Sequence, residues 1–230
     1  MKILQKAFNN HIVNKIVDLG HKPAPKPENE EARLNDLENL KIIEENISKS
    51  KRFSSFPQLA ATLTECDKAA INIVDETSQH CKVNFGMDAM ENMMTKEIPR
   101  ELSVCAHVLN NDSGSLVIND LTKDDRTKHV FELNNPIINN TFPRFYAGSP
   151  IITSNGYILG SFCVFNSKPK SLDSSKVEGL RMLADQFIDL YESTRSDYQR
   201  GIKDESQSQE KIKGEYYSSS TILFCDFVGF

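Results

Sequence analysis

Two apolar runs, Phe145 to Thr153 and Tyr157 to Phe165, are separated only by Ser154-Asn155-Gly156. Each run has the length and the β-branched and aromatic content of a strand, and Asn-Gly is a strong turn signal, so the segment reads as two strands joined by a turn. The rest of the chain has to be arranged around that sheet. A second strand pair is predicted upstream, where Ala69 to Val74 is rich in strand formers, Asp75-Glu-Thr-Ser78 makes a turn, and His80 to Phe85 returns. Ser115 to Ile118 adds a short strand.

Helices are expected where apolar residues recur every three or four positions. Leu4, Phe8, Ile12 and Ile16 predict a short amphipathic helix ending at Gly20. Pro23, Pro25 and Pro27 then enforce an extended linker over 21–27. Leu34, Leu37, Leu40 and Ile43 mark a second helix over about 28–47, and Phe53, Phe56, Leu59, Ala60 and Leu63 a third. Met87 to Met94 reads as a Met-rich loop and Leu102 to Leu109 as a short helix. Val177, Leu180, Ala184, Phe187 and Tyr191 predict a long helix from Leu172 to about Tyr198, and 203–213 is polar enough for a loose linker or a frayed helix end. A sheet interleaved with helices and bracketed by long terminal helices is an α+β domain.

Composition narrows the function classes. A net charge of −5 argues against a nucleic-acid partner, and no apolar run reaches the length of a membrane span. The five cysteines, Cys66, Cys81, Cys105, Cys163 and Cys225, are scattered and odd in number, the pattern of free thiols in a reducing compartment. The expectation is a cytoplasmic protein with neither membrane nor nucleic-acid partner.

Several separated motifs carry a family resemblance. Glu31-Ala-Arg33-Leu-Asn-Asp-Leu37 opens the series; Ala70-Ile-Asn-Ile-Val-Asp75 and Phe85-Gly86 follow, then Pro99-Arg-Glu-Leu-Ser-Val-Cys-Ala-His107. Leu116-Val-Ile-Asn-Asp120, Arg144-Phe-Tyr-Ala-Gly148-Ser-Pro and Leu159-Gly-Ser-Phe-Cys-Val164 complete it. Together they make residues 28 to about 192 resemble a GAF domain, a small-molecule sensor module that precedes many signalling enzymes. The resemblance implies a central antiparallel sheet flanked by helices, a ligand pocket, and a homodimer formed through the flanking helices. The motifs of the cyclic-nucleotide-binding and bilin-attaching GAF subgroups are missing, which leaves the ligand unidentified. Beyond a polar linker at 193–219, Ile222-Leu-Phe-Cys-Asp226-Phe-Val-Gly-Phe230 resembles the first strand of a class III adenylate/guanylate cyclase domain. There the aspartate binds catalytic Mg²⁺ or Mn²⁺, so Asp226 is the expected metal ligand of an intact cyclase domain.

Candidate ligand-binding residues are Arg144, Tyr146 and His107. Arg144 and Tyr146 alternate on a strand and share one face, where they would line a pocket and hold an anion. The competing role for Arg144 is an ion pair with Asp120 or Asp124. His107 either reaches the pocket or is a hydrogen-bonded structural histidine. Cys105 shares a face with Leu102 and Leu109, which makes it a small core residue. The sequence therefore reads as a GAF sensor acting as the regulatory part of a class III cyclase, with no complete catalytic domain in these 230 residues. Two alternatives stand beside it: a standalone GAF ligand-binding and dimerisation module, and a thiol-based reductase on the GAF fold, which would need a depressed cysteine near a resolving partner.

Overall fold

Six strands form one antiparallel sheet in the order β3-β2-β1-β6-β5-β4. The computed structural model of the chain describes residues 11–111, 114–135 and 142–211. Its elements are α1 (11–18), α2 (Glu30–Leu40), α3 (Lys51–Thr64), β1 (Lys68–Val74), β2 (Ser78–Phe85), α4 (Ala89–Thr95) and β3 (Glu97–Pro99). After two 3₁₀ turns, Arg100–Leu102 and Cys105–Asn110, come β4 (Leu116–Ile118), α5 (Lys128–Glu132), β5 (Phe145–Ile152), β6 (Ile158–Asn166) and α6 (Ser174–Lys211). One compact unit runs to Glu192 and a second begins at Ser193. The α+β reading with a central antiparallel sheet is what the chain adopts.

Both central hairpins form in the expected places. β5 and β6 pair from Phe145↔Asn166 to Ile152↔Ile158, and β1 pairs with β2 on one side and β6 on the other. Because alternate residues of a strand face opposite ways, the sheet has two different faces. Ile71, Ile73, Phe145, Ala147, Phe162 and Val164 point toward α2, α3 and α6. An aromatic cluster fills that layer: Phe53 and Phe56 pack edge-on against Phe187, and Phe187 stacks on Tyr191. The Tyr191 hydroxyl donates to the Leu40 carbonyl at 2.9 Å, tying α6 to the end of α2. Ala70, Asn72, Tyr146 and Cys163 occupy the opposite face, which is covered by irregular structure around 98–109.

Local details depart from the sequence reading. The Met-rich segment is a helix, α4, because Asp88 and Glu91 form a reciprocal capping box at its start. Leu102 to Leu109 is 3₁₀ rather than α-helical, and the three-residue strand β3 was too short to leave a periodic signal. α6 continues through 203–211, the helical one of the two readings open for that polar stretch. The Pro-rich segment is strapped down: the Pro25 carbonyl accepts from Asn110 Nδ2 at 2.6 Å, and His21 Nε2 lies 2.8 Å from the Glu101 carbonyl. Leu4 and Phe8 lie outside the described residues.

A buried charge cluster closes the N-terminal end of the domain. Arg33 donates from Nε and a terminal nitrogen to the two Glu30 oxygens, at 2.8 and 3.0 Å, and from its other terminal nitrogen to the Val74 carbonyl at 2.7 Å. Arg100 also bonds Glu30, and donates to the Asp75 carbonyl at 3.0 Å. Burial pushes the Glu30 carboxyl up, but the hydrogen bonds and charges of the two guanidiniums outweigh it and hold it at about 2. Arg33 is 1% exposed and Arg100 5%, so neither has water as a substitute partner. Glu30→Ala leaves two buried cations unpaired and should cost about 3–5 kcal/mol, read as a lower urea midpoint at unchanged m-value. A loss below about 1 kcal/mol would show that the cluster is solvated in solution.

Candidate functional site

Asn72 is a polar residue inside the apolar run Ala69–Val74 of β1, and it is 5% exposed. Its place is fixed from both sides. β2 carries a bulge opposite Ile71 and Asn72, with Ile71 paired to Val83 and Asn72 to Cys81. On the other side Gly160 of β6 backs directly onto Asn72, where a Cβ would collide with the Asn72 carbonyl oxygen. The Asn72 amide nitrogen donates to two sulfurs, Cys105 Sγ at 3.4 Å and Cys163 Sγ at 3.3 Å. Its Oδ1 is buried and has no partner.

Tyr146 completes this polar knot. Its ring lies along β5 over Gly148, where any Cβ would strike the ring and hydroxyl. The hydroxyl reaches Cys105 Sγ at 3.3 Å and Ser161 Oγ at 3.0 Å. Burial would raise the Cys105 thiol, but hydrogen bonds from Cys163, Ser161, Tyr146 and Asn72 outweigh it and hold it below the usual thiol value. Cys163 is pushed up by its hydrogen bond to Cys105 and by burial, and Tyr146 by burial and the neighbouring thiols. Cys105 therefore ionises first of the pair.

Above the knot lies a cavity of about 180 Å³. Asn72, Tyr146, Cys105 and Cys163 form its polar end, with Gln79 beside them. Most of the remaining wall is apolar, including Phe165, Met87, Met94, Ile98, Val104 and Phe142. The Gln79 Oε1 is engaged by the Ser103 hydroxyl at 2.6 Å. Glu91 also borders the space, but one oxygen pairs with Lys68 and the other accepts from the Asp88 amide at 3.0 Å. Among the described residues the lining contains no lysine, arginine or histidine.

Of the three candidate ligand residues, Tyr146 lines this cavity and Arg144 and His107 do not. Arg144 is paired with Asp120 at 3.4 Å, bonds Thr122 Oγ1 at 3.2 Å, and sits 6.0 Å from the Phe131 ring centre. His107 is half-buried on the 3₁₀ turn, and burial, followed by the charges of Arg126 and His21, lowers it to about 4. It is neutral at physiological pH. Cys105 packs in the core as expected and also faces the cavity. Asp226 lies outside the described residues. Asn72, Gln79 and Cys163 were missed as site residues, although a lone amide inside Ala69-Ala-Ile-Asn-Ile-Val74 was a usable signal: a buried strand accommodates one only with a partner. Among the described residues there is no group of three or more His, Cys, Asp or Glu side chains able to hold a metal ion, and no helix long and apolar enough to cross a membrane.

Two outcomes follow from these protonation states. A small alkylating agent such as iodoacetamide should modify Cys105 ahead of Cys81 and Cys163, at a rate that rises with pH and levels off below the usual thiol range, as mapped by mass spectrometry. Modification of Cys81 first would contradict it. For His107, the unfolded side chain takes up a proton below its ordinary 6.5 while the folded one stays neutral down to about 4. Stability therefore falls as pH drops through that window, by on the order of 2 kcal/mol, before the Glu30 cluster contributes below 4.5. His107→Gln should flatten the urea midpoint between pH 6.5 and 4, and an unchanged slope would refute the assignment.

The GAF domain family model matches residues 51–188 of this chain. A cyclic di-GMP phosphodiesterase of Pseudomonas aeruginosa is 30% identical over 148 residues, which is 64% of this chain but 23% of that protein. The match thus spans under a quarter of the relative's length. Among solved structures, the PixJ GAF domain of Thermosynechococcus elongatus, in its blue-light-absorbing form, superposes with a TM-score of 0.53 at 15% identity, covering 74% of this chain and 95% of that one. The GAF domain of an Acinetobacter phosphoenolpyruvate-protein phosphotransferase gives 0.50 at 14%, covering 73% and 98%. At such identities the superpositions speak to the fold alone. With its family model and antiparallel sheet in agreement, the chain belongs to the GAF domain family and carries a GAF sensor domain.

Proposed function

We propose that this chain is the sensory part of a cyclic-nucleotide signalling enzyme, in which a small molecule held over Asn72 and Tyr146 regulates an output domain through the flanking helices. The observation that carries this reading is the cavity itself, an apolar chamber ending in a buried amide with an unmatched polar atom. A group that costs free energy when left unpaired is stabilised once a ligand pairs it, so the bound and free domains differ in energy at the centre of the sheet.

Sheet and helix are physically continuous from there. β6 carries Ser161 and Cys163 on the cavity side and Phe162 between them on the other, and Phe162 packs against Phe56 at 6.5 Å. Phe56 meets Phe187 of α6 at 5.9 Å. In this reading a ligand that shifts β6 changes the seat of α6, and two copies joined through their flanking helices pass the change onward.

The resemblance of Ile222 to Phe230 to a cyclase strand supports a class III cyclase as the output, with Asp226 binding Mg²⁺ or Mn²⁺. A second reading takes its support from the Pseudomonas relative: a similar domain there belongs to a cyclic di-GMP phosphodiesterase, so the output here would hydrolyse that dinucleotide instead. The test is an assay of the protein made from the complete reading frame. Formation of cyclic AMP or cyclic GMP from ATP or GTP with Mn²⁺, lost in Asp226→Ala, supports the cyclase. Hydrolysis of cyclic di-GMP without cyclisation replaces it with the second reading. Neither activity would leave a ligand-binding module acting through a separate partner, and the enzyme reading would fall.

A further inference from the structure

The cavity also specifies what it holds. We infer that its ligand is a neutral, single-ring-sized molecule, apolar over most of its surface, whose one hydroxyl or N–H group bonds the side-chain amide of Asn72. This names the ligand class and rests on the sensor reading for its consequence.

Size is the first argument. A dry protein cavity of about 150 Å³ takes up one benzene molecule. At about 180 Å³ this chamber has room for one six-membered ring with a small substituent. A cyclic nucleotide joins a base, a sugar and a phosphate, and a bilin joins four rings, so neither is contained within that volume.

Charge is the second. Among the described residues the lining offers no cation to an anionic ligand, and the carboxylate at its edge, Glu91, is already spent on Lys68 and the Asp88 amide. The arginine nearest in sequence to the polar wall, Arg144, is held outside by Asp120, Thr122 and Phe131. A phosphate or carboxylate entering here would lose its hydration and gain no counter-ion.

The third argument is the unmatched atom. Asn72 Nδ2 serves two sulfurs and Oδ1 serves nothing, while Tyr146 has spent its hydroxyl on Cys105 and Ser161. Turning the amide over exchanges oxygen and nitrogen, yet one buried atom still faces no protein partner. A hydroxyl is both donor and acceptor and satisfies either orientation. The bulge in β2 and the Gly160 contact fix the Asn72 backbone, so the amide is held in place before a ligand arrives.

Phenol and toluene separate this proposal from simple hydrophobic filling, because they have nearly the same shape and differ in one polar atom. A purely apolar chamber prefers toluene, since the phenol hydroxyl must give up water. Calorimetric titration of the full chain should show phenol binding at least as tightly as toluene, and no binding of cyclic GMP or biliverdin. In Asn72→Val, a β-branched residue suited to the strand, the phenol-to-toluene preference should fall at least tenfold. Toluene binding better than phenol in the native chain overturns the polar anchor, and this comparison stands even if the variant fails to fold. Binding of cyclic GMP, or of neither small ring, overturns the size class. Phenol bound without any change in the activity of the full-length protein leaves the ligand class intact and removes the sensor role. Activity regulated by some other compound, with phenol not bound, does the reverse.

Discussion

The sheet is anchored by the buried cluster of Glu30, Arg33 and Arg100. Its energy comes less from charge attraction than from where the guanidiniums end: Arg33 caps the Val74 carbonyl at the end of β1, and Arg100 caps the Asp75 carbonyl one residue later. Those carbonyls sit where the β1–β2 hairpin turns, so they lack ladder partners and need donors. One carboxylate thereby joins α2, the central hairpin and the segment that leads into the cavity wall. Ser103, Val104 and Cys105 follow Arg100 within a few residues, and Ser103 in turn holds Gln79. The position of the wall is set by a charge cluster outside the cavity.

That separation explains the different character of the two sheet faces. The face toward α2, α3 and α6 is filled by Phe145, Phe162, Phe187 and Tyr191. On the other face small residues, Ala70, Gly148, Cys105 and Cys163, leave room that Tyr146 only partly fills. Tyr146 can lie flat only because Gly148 has no side chain, and the Asn72 carbonyl tolerates β6 only because Gly160 has none. Bulk on one face holds the fold together, and its absence on the other makes the chamber.

Much of the fold was legible, because it rests on local rules. The β5–β6 hairpin announced itself through Asn-Gly between two apolar runs, and α6 through a stripe in which Leu180, Ala184, Phe187 and Tyr191 are all buried. α4 was not, since methionine carries little helical periodicity and the Asp88–Glu91 box that starts it was overlooked. The site was harder to read. Alternation correctly places Arg144 and Tyr146 on one face but says nothing of how far along the strand the cavity extends. Arg144 stands one residue before β5 begins, where Asp120 and Thr122 in the turn after β4 capture it first. Gln79 and Cys163 carry no signal by themselves and become site residues only when the strand order sets them beside Asn72.

The same strand order bears on how a change in the cavity reaches α6. β6 lies between β1 and β5 and its residues bond alternately to one neighbour and the other, so the strand has little freedom to move alone. Cys163 and Ser161 on one face are covalent neighbours of Phe162 on the other, and a close-packed core transmits a displacement instead of absorbing it. Phe162 touches Phe56, and Phe56 touches Phe187. A signal that begins by pairing one amide atom thus needs no loop or hinge within the domain. Its route is the shortest the sheet allows, through the thickness of a single strand.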